Sequence, residues 1–140
     1  MSEKQKIEYS QLEAGFEFPP SIYKLDSTMV ATYRKAVEET SELYQDTSLV
    51  PPMAIAAHAM ASLSEGICLP LGTIHVSQEF EFLDTASIND TFTSYARVGK
   101  KQSRGKFHLL VVDLNVTDQD MKKVLTGKTS FILPEYSEVT

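Results

Sequence analysis

The stretch PPMAIAAHAMASL, residues 51–63, constrains this chain more than any other part of its sequence. Pro51 and Pro52 suit the first turn of a helix, where an amide donor has no intrahelical partner to lose. After them, Ala54 to Leu63 is apolar on almost every face of a helix. Such a helix over 52–67 is expected to be buried on all sides rather than laid on a surface. Its small side chains let neighbouring strands approach closely, and Gly66 is suited to end it. The longest apolar run, Met53 to Ala61, is interrupted by His58 and is too short to cross a bilayer. The helix therefore needs a protein wrapping.

The second half of the chain can supply that wrapping. In GTIHVSQEFEFL (72–83) the residues alternate. Ile74, Val76, Phe80 and Phe82 are expected on one face, with Gln78 as the polar exception there. His75, Ser77, Glu79 and Glu81 fall on the other. DTFTSYARVGK (90–100), GKFHLLVVDLNVTD (105–118) and KKVLTGKTSFILP (122–134) read as three further strands, with GKKQSRG as a charged hairpin tip. Strands separated by short polar turns, with no helix between them, imply antiparallel hairpins. The expected fold is α+β: an antiparallel curved sheet wrapped around a long central helix.

The first half is less regular. Residues 1–10 read as a frayed lead-in, and GFEFPPSIYKL (15–25) as an edge or irregular strand limited by Pro19 and Pro20. DSTMVATYRKAVEE (26–39) reads as a helix capped by Asp26 or Ser27, with Met29, Val30, Tyr33 and Val37 on one face. At 140 residues, without repeats or linkers, the chain is expected to be one domain with its core over about 12–134. A net charge of −6 argues against nucleic acid as a partner. The polar N-terminus carries no secretory signal, and Cys68 is the only cysteine, so a cytoplasmic protein without disulfides is expected. His75 and His108 lie on strands without further ligands at metal spacing, and no metal site is expected.

The run LPLGTIHVSQEFEFLDTASINDTFT (69–93) resembles the MaoC-like (R)-specific enoyl-CoA hydratases of the hotdog fold. Leu69, Pro70, Gly72, Thr73, Ile74, Gln78 and Phe82 match in register. Asn89, Asp90 and Thr91 stand where the family has Gly-Asp-Thr. AAHAM (56–60) is similar to the family's AHGM at the start of the central helix, and LTGKTSFILP (125–134) to its closing strand. The resemblance covers roughly residues 12–134, and the four pieces occur in order at compatible spacing.

In the family the catalytic segment is G-D-x-N-P-x-H, and EETSELY (38–44) corresponds to it here. By resemblance, Glu38 replaces the glycine, Glu39 the catalytic aspartate, Ser41 the asparagine, Glu42 the proline and Tyr44 the catalytic histidine. Asp46 matches an aspartate that often follows. The reaction is hydration of an enoyl thioester. It needs proton removal from water at C3, a proton at C2 and a stabilised enolate oxygen. Glu39 keeps a carboxylate, one methylene longer. Tyr44 is a phenol with an ordinary pKa of about 10, a poor base at neutral pH. Ala59, at the glycine of AHGM, keeps an amide that the resemblance assigns to the thioester oxygen, with His58 and Ser41 as neighbouring substrate-binding positions.

Conserved frame and altered chemistry together resemble the non-catalytic half of double-hotdog dehydratases. There Tyr occupies the histidine position and VPP precedes the central helix, as in LYQDTSLVPP (43–52). The resemblance thus implies a tunnel-forming subunit for acyl-CoA or acyl carrier protein thioesters. It would be a homodimer, or a heterodimer with a catalytic hotdog subunit, with coenzyme A entering as part of the substrate and no separate cofactor. Three alternatives stand beside it. One is an active hydratase using Glu39 with Tyr44 or an ordered water. Another is a thioesterase using Glu65, and the third is an acyl-CoA binding module. The basic residues Lys100, Lys101, Arg104 and Lys106 are either a solvated turn or a contact for coenzyme A phosphates.

Overall fold

The computed structural model describes residues 6–45 and 47–134, and over them its elements follow the expected order. Strand β1 (Ile7–Glu8) and a 3-10 turn (Tyr9–Gln11) precede β2 (Ser21–Lys24) and helix α1 (Ser27–Ala36). A second 3-10 turn (Glu42–Tyr44) leads to the central helix α2 (Pro52–Gly66). Strands β3 (Ile67–Cys68), β4 (Ile74–Phe82), β5 (Thr91–Arg104), β6 (Phe107–Thr117) and β7 (Lys123–Pro134) complete the chain. The main sheet has the order β2-β5-β6-β7-β4, with every neighbouring pair antiparallel. β4 is thus drawn back to pair with the last strand, and β2 and β4 form the two edges.

One face of this sheet holds α2. Its first half (Ala54, Ile55, Ala56, Ala59) packs with Leu25, Val30, Phe92, Val116 and Leu125. Leu63, in its second half, packs with Phe18, Val98, Leu110, Leu114 and Phe131. Alanines at the contact bring helix and sheet close. Gly127 of β7 serves the same end for β4: a Cβ there would meet the Phe80 ring at 2.8 Å.

Several expectations are corrected. Ile7 and Glu8 are not frayed: they pair in parallel with Ile67 and Cys68. The irregular strand is an edge, as expected, but only Ser21–Lys24 is regular, because Pro19 and Pro20 interrupt the run beside β5. α1 is capped by the Asp26 carboxylate, which accepts from the Met29 amide at 2.8 Å, and it stops at Ala36, short of residue 39. Of its apolar face, Val30 is buried, whereas Met29 and Val37 are exposed. α2 is not buried all round either. Met53, Ala57, Ala61, Ser64 and Glu65 form an uncovered stripe, since α1 shields only one flank of its first half.

The alternation of β4 breaks at a bulge between His75 and Ser77. His75 pairs with the inward-facing Phe131 and packs on it with ring centroids 5.0 Å apart, while Ile74 pairs with Ile132 on the outer face. An extra residue in the strand shifts every side chain before it to the opposite face. Gln78 is inward, as expected. Its amide donates to the carbonyls of Glu79 and Lys128, and its oxygen accepts from Thr129 Oγ1 at 2.8 Å.

The charged tip is smaller than expected: Arg104 pairs with Phe107 across a two-residue turn in which Gly105 has φ +58°. Lys101 lies inside the ladder. Its ammonium donates to the carbonyls of Tyr9 and Leu12 and sits 4.4 Å from the Tyr9 ring centre. It is a strap for the N-terminal segment rather than a ligand for phosphate.

Replacing Gly127 with alanine is expected to force Phe80 off the sheet and lower stability by about 1–3 kcal/mol. Urea denaturation measures this, and an unchanged midpoint would mean that Phe80 moves without loss.

Candidate functional site

The candidate site is assembled where the chain turns back across the end of α1. Glu38 has φ +57°, the left-handed conformation that glycine adopts most readily. This is the position where the resemblance places a glycine. The turn folds the chain back, so that the Glu39 amide donates to the Arg34 carbonyl at 2.8 Å. Ser41 then caps the short 3-10 turn, its hydroxyl accepting from the Leu43 amide at 3.2 Å.

Two side chains of the segment, those of Glu39 and Ser41, bond to its own backbone. One oxygen of the Glu39 carboxylate accepts from the Ser41 amide at 2.9 Å. The Tyr44 amide donates to the Ser41 carbonyl, and the Tyr44 carbonyl accepts from Arg34 Nη1 at 3.2 Å. The Arg34 guanidinium also lies 5.8 Å from the Tyr44 ring centre, within cation–π reach. The Tyr33 hydroxyl is pushed above its ordinary pKa, first by burial and then by the nearby Glu39 and Tyr44. Tyr33 thus feels the charge of Glu39 and the ring hydroxyl of Tyr44 from the end of α1. Glu42 is exposed in the 3-10 turn. Asp46 lies outside the described residues.

The other expected site residues divide. Ala59 is buried about two turns inside α2, where its amide belongs to the helical ladder. Pro51 and Pro52 carry no amide hydrogen and the Ala54 amide donates to the Pro51 carbonyl at 2.9 Å, so at most the Met53 amide is left open in the first turn. An oxyanion role for the Ala59 amide is thus corrected: the helix starts earlier than the AHGM match implied. His58 does reach a cavity. A cleft of about 360 Å³ between the helices is lined by Leu25, Thr28, Met29, Thr32, Tyr33, Ala54, Ala57 and His58, among others. Burial holds the His58 imidazole below its ordinary pKa, with Glu65 pulling weakly the other way. Glu65 itself is exposed near the end of α2 and is not among the residues lining this cleft.

Two residues were missed in the sequence. Arg34 reads as an ordinary charge on the outer face of α1, and nothing at the level of spacing ties it to Tyr44. Tyr33 reads as a core residue, and only the reversal at Glu38 brings Glu39 back to it. Among the described residues no cluster of metal-ligating side chains occurs, and no helix is long and apolar enough to cross a membrane.

Comparison with known proteins places this geometry. The family model of the FAS1-like dehydratase domain region matches residues 13–127. No curated protein sequence matches the chain. Among solved structures, a monoamine oxidase regulatory protein from Archaeoglobus superposes with a TM-score of 0.80 at 17% identity, over 98% of this chain and 100% of that one. The R-hydratase PhaJ1 from Pseudomonas aeruginosa gives 0.75 at 17% identity, over 94% of this chain and 90% of that one. The HadBC 3R-hydroxyacyl-ACP dehydratase complex from Mycobacterium tuberculosis gives 0.66 at 16% identity, over 85% and 96%. The fold is the hotdog of MaoC-like hydratases: one helix held by one antiparallel sheet.

Glu38→Gly is expected to stabilise the protein by about 1 kcal/mol, because a left-handed non-glycine residue is strained by roughly that much. A denaturation midpoint that stays put or falls would show that Glu38 has contacts offsetting the strain.

Proposed function

This chain belongs to the family of FAS1-like dehydratase domain regions, and from that membership we propose that it is an acyl-thioester hydratase/dehydratase subunit whose segment 38–44 does not carry the acid/base pair. Its ligand is an enoyl or 3-hydroxyacyl chain on coenzyme A or an acyl carrier protein. The chain helps to form the acyl tunnel, and a second hotdog subunit with an intact Asp/His pair does the proton chemistry.

The observation that carries this reading is the Glu39 carboxylate folded back onto the Ser41 amide. A carboxylate held there is stabilised as an acceptor and turned to local backbone. Tyr44 brings a phenol where the resemblance places an imidazole. Arg34 holds that residue's carbonyl and lies near its ring, so the segment is braced as a structural turn.

A partner is supported by what the single chain leaves open. β4 has a neighbour on one side only, and Val76 and Phe82 are exposed along it, with Leu83 just beyond. The uncovered stripe of α2 lies on the same molecule. A free strand edge beside exposed apolar residues is a template for pairing with a second sheet. HadBC, a solved structure of similar fold, is named as a complex.

Hydration of crotonyl-CoA by the purified chain tests the catalytic part. Turnover alone is expected to lie at least about 100-fold below that reached with a catalytic hotdog subunit, the scale of a missing acid/base group. Fast turnover by the chain alone, abolished in Glu39→Gln, would return catalysis to segment 38–44 and overturn the subunit reading. Val76→Lys is expected to dissociate the assembly in analytical ultracentrifugation. An unchanged sedimentation coefficient would show that β4 is not the joining edge.

A further inference from the structure

On the outer face of the main sheet, turned away from α2, apolar side chains stay exposed beside an alternating row of charges. We propose that this face is an interface between two copies of the chain, stacked sheet against sheet about a two-fold axis parallel to the strands. The inference goes beyond the hydratase reading and is independent of it, and of whatever joins the β4 edge.

The strand registers define the face. Phe107, Leu109 and Val111 of β6 alternate with the buried Leu110 and Val112, so they point outward. Leu109 stands opposite Ile132, and Ile132 opposite Ile74, so an apolar band crosses β6, β7 and β4. Phe107 is 58% exposed and Ile74 59%. A contiguous exposed patch of this kind marks an interaction surface.

Beside the band runs the row of charges. Arg97 stands opposite Asp113, Asp113 opposite Lys128, and Lys128 opposite Glu79. From β5 to β4 the signs read plus, minus, plus, minus. Among the described residues none of these four side chains is in a salt bridge. The Asp113 carboxylate lies against the bulged Gly99, where a Cβ would displace it.

An alternating row of four charges changes sign throughout on a half-turn about its midpoint. A two-fold axis passing between β6 and β7 therefore sets Arg97 of one copy over Glu79 of the other, and Asp113 over Lys128. The same rotation lays one apolar band on the other. A stack displaced sideways by one strand would put like charges over each other, so the row also fixes the alignment. Glu17 extends the row past Arg97 through an isolated bridge, and in the stack it overhangs the other copy's β4 edge. Sheets packed face to face lie about 10 Å apart with their strands within roughly 30° of each other. A contact of this self-complementary kind closes at two copies.

The test is analytical ultracentrifugation of the purified full chain over a concentration series. Arg97→Glu and Glu79→Arg each bring like charges together in the stack. Each is expected to halve the sedimenting mass while the circular dichroism spectrum stays unchanged. The double substitution restores opposite charges, and the mass is expected to return to that of the natural chain. Within one chain Arg97 and Glu79 are three strand spacings apart, about 14 Å, too far to pair directly, so this rescue can arise only between copies. Val76→Lys separates chains joined at β4 but leaves this pair standing. A natural chain that sediments as a single copy overturns the proposal and leaves the face to another occupant. So does a mass that neither single substitution lowers, or one that the double substitution fails to restore. A Val76→Lys chain that runs as a single copy overturns it too, since the β4 edge then accounts for the whole assembly.

Discussion

Everything in this molecule depends on one contact, the packing of an alanine-rich helix against the inner face of an antiparallel sheet. Ala54, Ala56 and Ala59 are almost wholly buried there. Their small side chains bring α2 close enough for Val116, Leu125 and Leu114 to close over it. The helix has too few polar side chains to stand alone in water, and the sheet has one face too apolar to remain bare. Each removes the other's exposed surface, at roughly 25 cal/mol per Å² of apolar area. The remaining elements are placed around this pair. α1 covers one flank of the helix, and β1 with β3 closes its far end.

The candidate site follows from where that cover stops. α1 runs only to Ala36, and the left-handed Glu38 turns the chain back across its end. Tyr33 stands between the two, lining the cleft beside α2 and feeling the charge of Glu39. Glu38 takes the left-handed backbone there, and the side chains that follow bond close to home. Ser41 caps, Glu39 accepts from backbone, and Arg34 holds Tyr44. A tightly bonded turn of this kind is rigid, and its carboxylate is directed at its own chain.

Much of the architecture was legible in the sequence because its signals are local. The bounds of α2 followed from two prolines and a glycine, and the pairing of β5, β6 and β7 from short polar turns between apolar strands. Asp26 announced its cap. The errors arose where a neighbour decided the outcome. The bulge at Val76 exchanged the faces of Ile74 and His75, because register is set by the partner strand β7 and not by alternation alone. Lys101, read as part of a solvated tip, was drawn into the ladder and onto the carbonyls of Tyr9 and Leu12, 92 and 89 positions away. Ala59 was assigned to a helix start on a four-letter match, yet the prolines had already placed that start a turn and more earlier.

The sequence by itself determined the class of fold, the central helix and the order of strands. These follow from periodicity and from proline and glycine. Only the tertiary structure decided that Arg34 braces Tyr44, that Tyr33 belongs with Glu39, and that His58 opens onto a cleft with its nitrogens free. It also decided that one stripe of α2 and one edge of the sheet stay uncovered. The physical reason is common to all of these. Each depends on which side chains meet across a turn or between two elements, and contacts of that kind leave no period in the sequence.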